Sequence, residues 1–199
     1  MHVNNETGVV QDIAAIAAIC RRHDVLLHVD AAQSAGREEI DVRASQIDLL
    51  SLSAHKIYGP KGVGALFIDQ ERVRRVSPLL FGGGQERGMR PGTIATHQVA
   101  GMGEALRLAA QRLPDEARHA TALRDRLWSG LQQLPGILLN GHAERRSGHI
   151  LNVSIAGVEG ESLFYGLADL CVASGSACTS LSNEASHVLR ALGRPAALA

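Results

Sequence analysis

Of the 20 lysine and arginine side chains in this 199-residue sequence, only two are lysines, Lys56 and Lys61. Arginine keeps its proton at any physiological pH. A lysine that is desolvated or set beside another cation can lose its proton and attack a carbonyl carbon. Lys56 is the stronger candidate for such chemistry, because it follows the apolar run Ile47 to Leu52 and stands beside His55, just after Ser51 and Ser53. Lys61, between Pro60 and Gly62, has the setting of a solvated turn residue. A second apolar run, Val25 to Val29, ends in Asp30, with Gln33 shortly after. An amine, a carboxylate and a hydroxyl at the ends of neighbouring strands meet the needs of pyridoxal 5′-phosphate. Its aldehyde takes an amine, its ring nitrogen stays protonated against a carboxylate, and its phosphate takes N–H and O–H donors. Lys56, Asp30 and Ser53 supply one of each.

The other chemically notable residue is Cys178. It stands in Ser174-Gly175-Ser176-Ala177-Cys178-Thr179-Ser180-Leu181-Ser182, a run of small polar residues with the composition of an exposed loop. Cysteine is ordinarily among the most buried residue types, so a thiol on such a loop is a candidate reactive group. Cys20 falls on the apolar stripe of a helix and Cys171 on a short apolar run, both expected to be inert. Three cysteines at these spacings fit neither a zinc site nor a disulfide framework, and a reducing, cytoplasmic compartment is expected. The segment from Phe81 to Thr93 carries four glycines before Pro91 and two arginines, Arg87 and Arg90. It could present backbone N–H groups, a hydroxyl and guanidinium groups to a phosphate. It lacks the G-x-x-x-x-G-K-[ST] order of a nucleotide P-loop, which argues against nucleotide hydrolysis.

The elements that must position these residues follow from periodicity. Asp12 to His23 reads as a helix, with Ile13, Ile16, Ala17 and Cys20 on one side, Asp12 at its start, and Arg21 and Arg22 at its end. Strands are expected over Val25 to Val29, Ile47 to Leu52 and Val63 to Ile68. An α/β fold with parallel strands collects ligands at the strands' carboxyl ends, which is where Asp30 and Lys56 fall. The link Gly59-Pro60-Lys61-Gly62 is too short for a crossover helix, so the strand after it should run antiparallel. A helix is expected from His97 to about Leu113, broken or bent at Pro114, with a second helix to about Leu134. Beyond it come strands over 137–139 and 150–155, a helix over 161–170, and a strand over 171–173.

Formal net charge is zero, so there is no electrostatic case for nucleic acid or an anionic membrane surface. No apolar run approaches a membrane span and no signal-peptide pattern opens the sequence. The nine histidines lack the companions of a structural metal site.

Five stretches in order resemble the cysteine desulfurases, in the housekeeping branch that supplies sulfur for iron–sulfur cluster assembly and tRNA thiolation. They are His2-Val3-Asn4-Asn5-Glu6-Thr7-Gly8, His28-Val29-Asp30-Ala31-Ala32-Gln33, Ser53-Ala54-His55-Lys56-Ile57-Tyr58-Gly59-Pro60-Lys61-Gly62, Gly88-Met89-Arg90-Pro91-Gly92-Thr93 and Ser174-Gly175-Ser176-Ala177-Cys178-Thr179. The resemblance implies the fold type I architecture of pyridoxal-phosphate-dependent transferases: an incomplete large α/β domain with a mainly parallel sheet, and part of a small α+β domain. It implies that Lys56 binds the cofactor and shuttles the substrate's Cα proton, with His55 also at the catalytic centre. Asp30 would pair with the ring nitrogen, Asn5 and Gln33 would contact the ring and its 3′-oxygen, and Ser53 and His55 would hold the phosphate. Thr93 would reach the phosphate of a partner subunit, which implies a homodimer. Cys178 would take sulfur from L-cysteine as a persulfide, releasing alanine. It could also help ligate a [2Fe-2S] cluster on a scaffold protein, one of several sulfur acceptors expected as partners.

The resemblance also implies segments beyond this chain: a phosphate-gripping loop and a ring-stacking histidine before it, and a carboxylate-binding arginine after it. The sequence therefore reads as an internal piece of a desulfurase. Residues 1–96 would be the C-terminal portion of the cofactor-binding large domain, 97–134 bridging helices, and 135–199 a partial small domain carrying the cysteine loop. So few strands predict an unpaired edge and bare apolar faces. Two other readings stay open: a selenocysteine lyase or cysteine sulfinate desulfinase of the same fold, and a catalytically incomplete binding or dimerisation module.

Overall fold

The computed structural model describes residues 1–158, 160–173, 185–195 and 198. They fall into two compact units: Met1–His2 with Gln11–Glu116, and Val3–Val10 with Ala117–Ala199.

The first unit opens on helix α1 (Ile13–Arg22). Asp12 caps it by accepting from the Ala15 N–H at 2.9 Å, and Arg21 and Arg22 lie at the negative end of the helix dipole. Ile13 and Ala17, one turn apart, are its buried residues, while Cys20 on the same stripe is half-buried. Strand β1 (His28–Asp30) is shorter than the apolar run suggests. Val25 and Leu26 are exposed, and the Val25 N–H is used instead to close the end of α1 on the Cys20 carbonyl. Strand β2 (Leu49–Ser53) pairs parallel with β1, with Asp30 opposite Ser51. Strand β3 (Gly64–Ile68) pairs antiparallel with β2, as the Gly-Pro link requires. The connection over residues 31–48, between the parallel strands, is built of turns, with no helix in it.

Ile13, Val29, Ala31, Ile47 and Leu50 form the core between α1 and the sheet, with Leu27, Ile40, Val42 and Leu52 packed against them. The edge strand β3 is bare: Leu66 is 48% exposed and Phe67 is exposed too, the apolar surface expected of a sheet with few strands. Asp48, 1% exposed, staples the unit together. Its carboxylate accepts from the Leu27 N–H at 2.7 Å and pairs with Arg21 Nη1 at 2.9 Å and Arg72 Nε at 3.4 Å. One buried charge thus ties α1, the entry to β1, β2 and the chain beyond β3. Replacing Asp48 by alanine is expected to cost about 3 kcal/mol, since it strips several bonds to one ionised group. Urea unfolding of the variant checks this, and an unchanged midpoint would contradict it.

Helix α2 (Thr96–Leu131) is a single helix with Pro114 inside it, where the sequence suggested two. Proline removes one N–H from the ladder and crowds the carbonyl one turn back, a local penalty of about 3 kcal/mol. The ladder resumes on both sides, so the long helix outlasts it. The boundary between the two units falls just after this position, between Glu116 and Ala117.

In the second unit, residues 3–10 form a tight turn. Val3 bridges Val10, and the Asn4 side-chain oxygen accepts from the Glu6 and Thr7 N–H groups and the Thr7 hydroxyl. Strands β4 (Ile137–Leu139) and β5 (Val153–Ile155) pair antiparallel. Helices α3 (Gly160–Gly166) and α4 (His187–Ala191) follow. Residues 171–173 form no strand, and Cys171 is exposed, contrary to the buried strand position expected for it. Three residues with no recorded neighbouring strand cannot satisfy a ladder. Polar side chains hold this unit together. Arg146, 8% exposed, donates to the Thr7 carbonyl at 3.0 Å and the Asn140 carbonyl at 2.6 Å. Burial pushes its guanidinium below the ordinary arginine value, and the neighbouring Arg124 pushes the same way.

Candidate active site

The parallel register of β1 and β2 brings two strand ends to the same edge of the first unit. Asp30 closes β1, and Ser53 closes β2. From Ser53 the chain turns at once into a short 3₁₀ turn, Ala54–Ile57, which carries His55 and Lys56. Ala54 and Ile57 are buried and seat the turn, so His55 is left exposed and Lys56 half-buried. Tyr58, 92% exposed, takes a left-handed conformation at φ 64° and reverses the chain into Gly59. The Gly59 N–H donates to the Ala54 carbonyl at 2.9 Å. A Cβ at Gly59 would stand 2.9 Å from that same carbonyl oxygen, which accounts for glycine there.

The residues that would hold a cofactor lie around this turn. Asp30 is half-buried; its Oδ1 accepts from the Ala32 N–H at 2.9 Å, which orients the carboxylate and leaves Oδ2 for a second donor. Its backbone carbonyl accepts from the His2 N–H at 2.8 Å. Burial lowers the His2 imidazole below its ordinary value, with Glu38 opposing, so His2 is neutral at pH 7. Ser53 Oγ lies 2.8 Å from His55 Nδ1, so hydroxyl and imidazole form one polar pair beside Lys56. Gln33, half-buried, follows Asp30 in the turn. This donor set fits pyridoxal phosphate: a primary amine, a carboxylate with one oxygen to spare, and a hydroxyl–imidazole pair suited to a phosphate, all at the carboxyl ends of adjacent strands.

The other expected site residues lie on other segments of the chain. Thr93 is exposed, just beyond a segment in which Glu86, Arg87, Gly88 and Gly92 all have positive φ. Asn5 is exposed in the turn of the second unit. Cys178 lies outside the described residues. Among the described residues no group of histidine, cysteine and acidic side chains could hold a metal ion, and no helix is long and apolar enough to cross a membrane.

Two supports of the lysine turn escaped the sequence reading. Arg37 Nη2 donates to the Lys56 carbonyl at 3.2 Å. The start of α2 presents Gln98, Gly101, Ala105 and Ala109 to the turn. Gln98 Nε2 donates to the Lys61 carbonyl at 2.9 Å, and a Cβ on Gly101 would meet Pro60 at 2.7 Å. Ala105 and Ala109 approach Gly59 and Gly36 so closely that added Cβ atoms there would lie 3.2 and 2.8 Å away. The signal was present as small residues at helical spacing, but nothing local says what such a stripe faces.

Known proteins are similar to this chain in sequence and in fold. The class-V aminotransferase family profile matches residues 1–193. The cysteine desulfurase IscS of Aeromonas salmonicida (strain A449) is 57% identical over 193 residues, which cover 97% of this chain and 48% of that protein. The chain therefore spans about half the length of such relatives. Among solved structures, the NifS-like protein from Rickettsia africae ESF-5 superposes with a TM-score of 0.87 at 28% identity, over 99% of this chain and 52% of that one. SspA in complex with cysteine gives 0.80 at 36% identity, over 99% and 54%. Pyridoxal phosphate is the family's cofactor. With an amine, a carboxylate and a hydroxyl–imidazole pair at adjacent strand ends, and a family match that runs almost end to end, the chain belongs to the class-V aminotransferases, and relatives 55–58% identical to it are cysteine desulfurases.

Proposed function

We propose that the protein carrying this chain is a cysteine desulfurase, which converts L-cysteine to L-alanine and passes the sulfur through a Cys178 persulfide to iron–sulfur cluster assembly and tRNA thiolation. The observation that carries the reading is the placement of Asp30 and the Ser53–His55–Lys56 turn at the ends of two parallel neighbours. The relatives' activity and the half-buried setting of Lys56 support it.

When bound, pyridoxal phosphate supplies an electron sink for the pair released at the substrate's Cα. The residues divide the remaining work. Lys56 would hold the cofactor through its aldehyde carbon and would move the substrate's Cα proton. Asp30 keeps the ring nitrogen protonated. Asn5 and Gln33 orient the ring through its face and 3′-oxygen, and Ser53, His55 and the partner subunit's copy of Thr93 hold the phosphate. The Cys178 thiolate attacks the substrate sulfur: an S–S bond forms as the C–S bond breaks. The electron pair stays on carbon, which takes a proton and leaves as alanine. The enzyme would be a cytoplasmic homodimer. Residues 1–96 belong to its cofactor-binding domain, 97–134 to the bridge and 135–199 to the small domain. On its scaffold partner, Cys178 would share in ligating a [2Fe-2S] cluster.

The test is product analysis. With pyridoxal phosphate, L-cysteine and a thiol reductant, the protein should release alanine and sulfide in equal amounts, and borohydride should fix a pyridoxyl group on Lys56. Sulfide without alanine would sink the reading. A marked preference for selenocysteine or cysteine sulfinate over cysteine would redirect it to a sister activity.

A further inference from the structure

We infer that Arg37 is a positioning residue for Lys56, tying the turn that carries the amine to the turn that follows Asp30 and carries Gln33. The inference rests on the roles proposed above for Lys56 and Asp30. Arg37 is half-buried, and its Nη2 donates to the Lys56 carbonyl at 3.2 Å. Among the described residues, this is the hydrogen bond that links residues 31–38 to residues 54–59, the two segments that leave the neighbouring strand ends. The lysine turn is too short to hold itself. It is a 3₁₀ turn of four residues, Ala54–Ile57, and such turns bond less well than an α-helix does. The last carbonyls of a helical turn find no partner within it, and that of Lys56 finds one in Arg37. At the other end Ser53 makes no side-chain cap; its hydroxyl is engaged with His55.

Arg37 stands on a stack of hydrogen bonds that begins at Asp30. Asp30 Oδ1 accepts from the Ala32 N–H at 2.9 Å, and the Ala31 carbonyl accepts from the Ser34 and Ala35 N–H groups at 3.1 and 2.8 Å. The Ser34 carbonyl accepts from the Arg37 and Glu38 N–H groups, both at 2.9 Å. Ala31 and Ser34 are fully buried, so the stack has little room to shift. Gly36, at φ 69°, lets the two turns close on each other: a Cβ there would lie 3.0 Å from Ile57 Cγ2. Arg37 thus reaches Lys56 from a base fixed to Asp30. A flat cofactor held by the carboxylate at its ring nitrogen and by the amine at its aldehyde needs those two groups at a set separation. Misplacing reacting groups by about 1 Å costs on the order of 100-fold in rate. The guanidinium sets the separation through the main chain of Lys56 and leaves the amine for chemistry.

The experiment uses the full protein and reads three quantities on each variant. They are the rate at which pyridoxal phosphate added to the apoprotein becomes fixable by borohydride on Lys56, the exchange of the Cα proton of L-alanine with solvent deuterium, and Tm. L-Alanine has no sulfur to lose, so its exchange isolates the proton transfer. Arg37→Met keeps an unbranched stem without a donor, and should slow both rates about 100-fold. The final label on Lys56 and the alanine concentration for half-maximal exchange should stay at wild-type values, with Tm lower by no more than about 4 °C. Arg37→Lys restores a charged N–H donor without the guanidinium fork, and should recover both rates to within about tenfold of wild type. Unchanged rates in Arg37→Met overturn the inference, as does a loss of label, alanine affinity and Tm in parallel with rate, which would mark Arg37 as structural only. Pyridoxyl label on a residue other than Lys56 in the wild-type protein would instead remove the lysine reading itself, and this inference with it.

Discussion

Lys56→Ala should abolish covalent retention of pyridoxal phosphate and lower alanine formation from L-cysteine by at least about 10³-fold, the scale on which a positioned proton-transfer group acts. Its two roles, binding the aldehyde carbon and moving the Cα proton, both need an amine that can be neutral. Lys56→Arg should therefore be as inactive as the alanine variant although it keeps the charge, because a guanidinium does not release its proton. Lys61 is the internal control, being the chain's only other lysine. It is exposed, and it is tied into the fold through its carbonyl, which accepts from Gln98. Lys61→Ala should leave turnover within about twofold of wild type, as expected of a surface substitution. Stability is not at stake for Lys56 itself, since the bond recorded for it runs from Arg37 to its backbone carbonyl and survives either replacement. The measurement is borohydride trapping with peptide mapping, beside an alanine assay and a melting curve. Pyridoxyl label retained in Lys56→Ala would move the attachment point elsewhere.

The placement of the first unit's polar residues at strand ends was legible because its two apolar runs end abruptly in them. Leu50 and Leu52 give way to Ser53, His55 and Lys56, and Val29 to Asp30; a strand end in an α/β sheet is where such residues become useful. The Gly-Pro link after Lys56 likewise foretold the antiparallel return of β3. The lengths of the elements were not legible. Val25 and Leu26 are as apolar as the residues that follow, yet they lie outside the ladder because the Val25 N–H closes α1. Pro114 was read as a break because its local penalty is visible in sequence, whereas the helical turns on either side that outlast it are not. Asp48 sits inside an apolar run and Glu6 in a polar turn, so sequence pattern assigned neither a structural role. Both are buried carboxylates whose partners, Arg72 and Ser186, are distant in the chain. Long-range pairing of this kind leaves no periodic trace.

Cys178→Ala should separate cofactor chemistry from sulfur chemistry. The variant lacks only a thiol, and every residue proposed to hold the cofactor or move the Cα proton is elsewhere: Lys56, Asp30, Gln33, Ser53 and His55 around one turn, with Asn5 and Thr93 on other segments. It should therefore load pyridoxal phosphate to the wild-type level, bind L-cysteine with an unchanged spectral response, and exchange the substrate's Cα proton with solvent deuterium. Sulfide and alanine should both fall by at least about 10³-fold, because the C–S bond has no nucleophile to accept its sulfur. Cys178→Ser should be equally inactive, since an alkoxide cannot form the persulfide and a hydroxyl is far harder to ionise than a thiol. Cys20→Ala and Cys171→Ala are the controls: one thiol lies half-buried on α1 and the other is exposed beyond α3. Proton exchange lost together with sulfide in Cys178→Ala would show that this cysteine acts before the C–S bond is touched. Normal turnover would remove it from the reaction and return the sulfur-accepting role to Cys20, Cys171 or a thiol supplied by a partner.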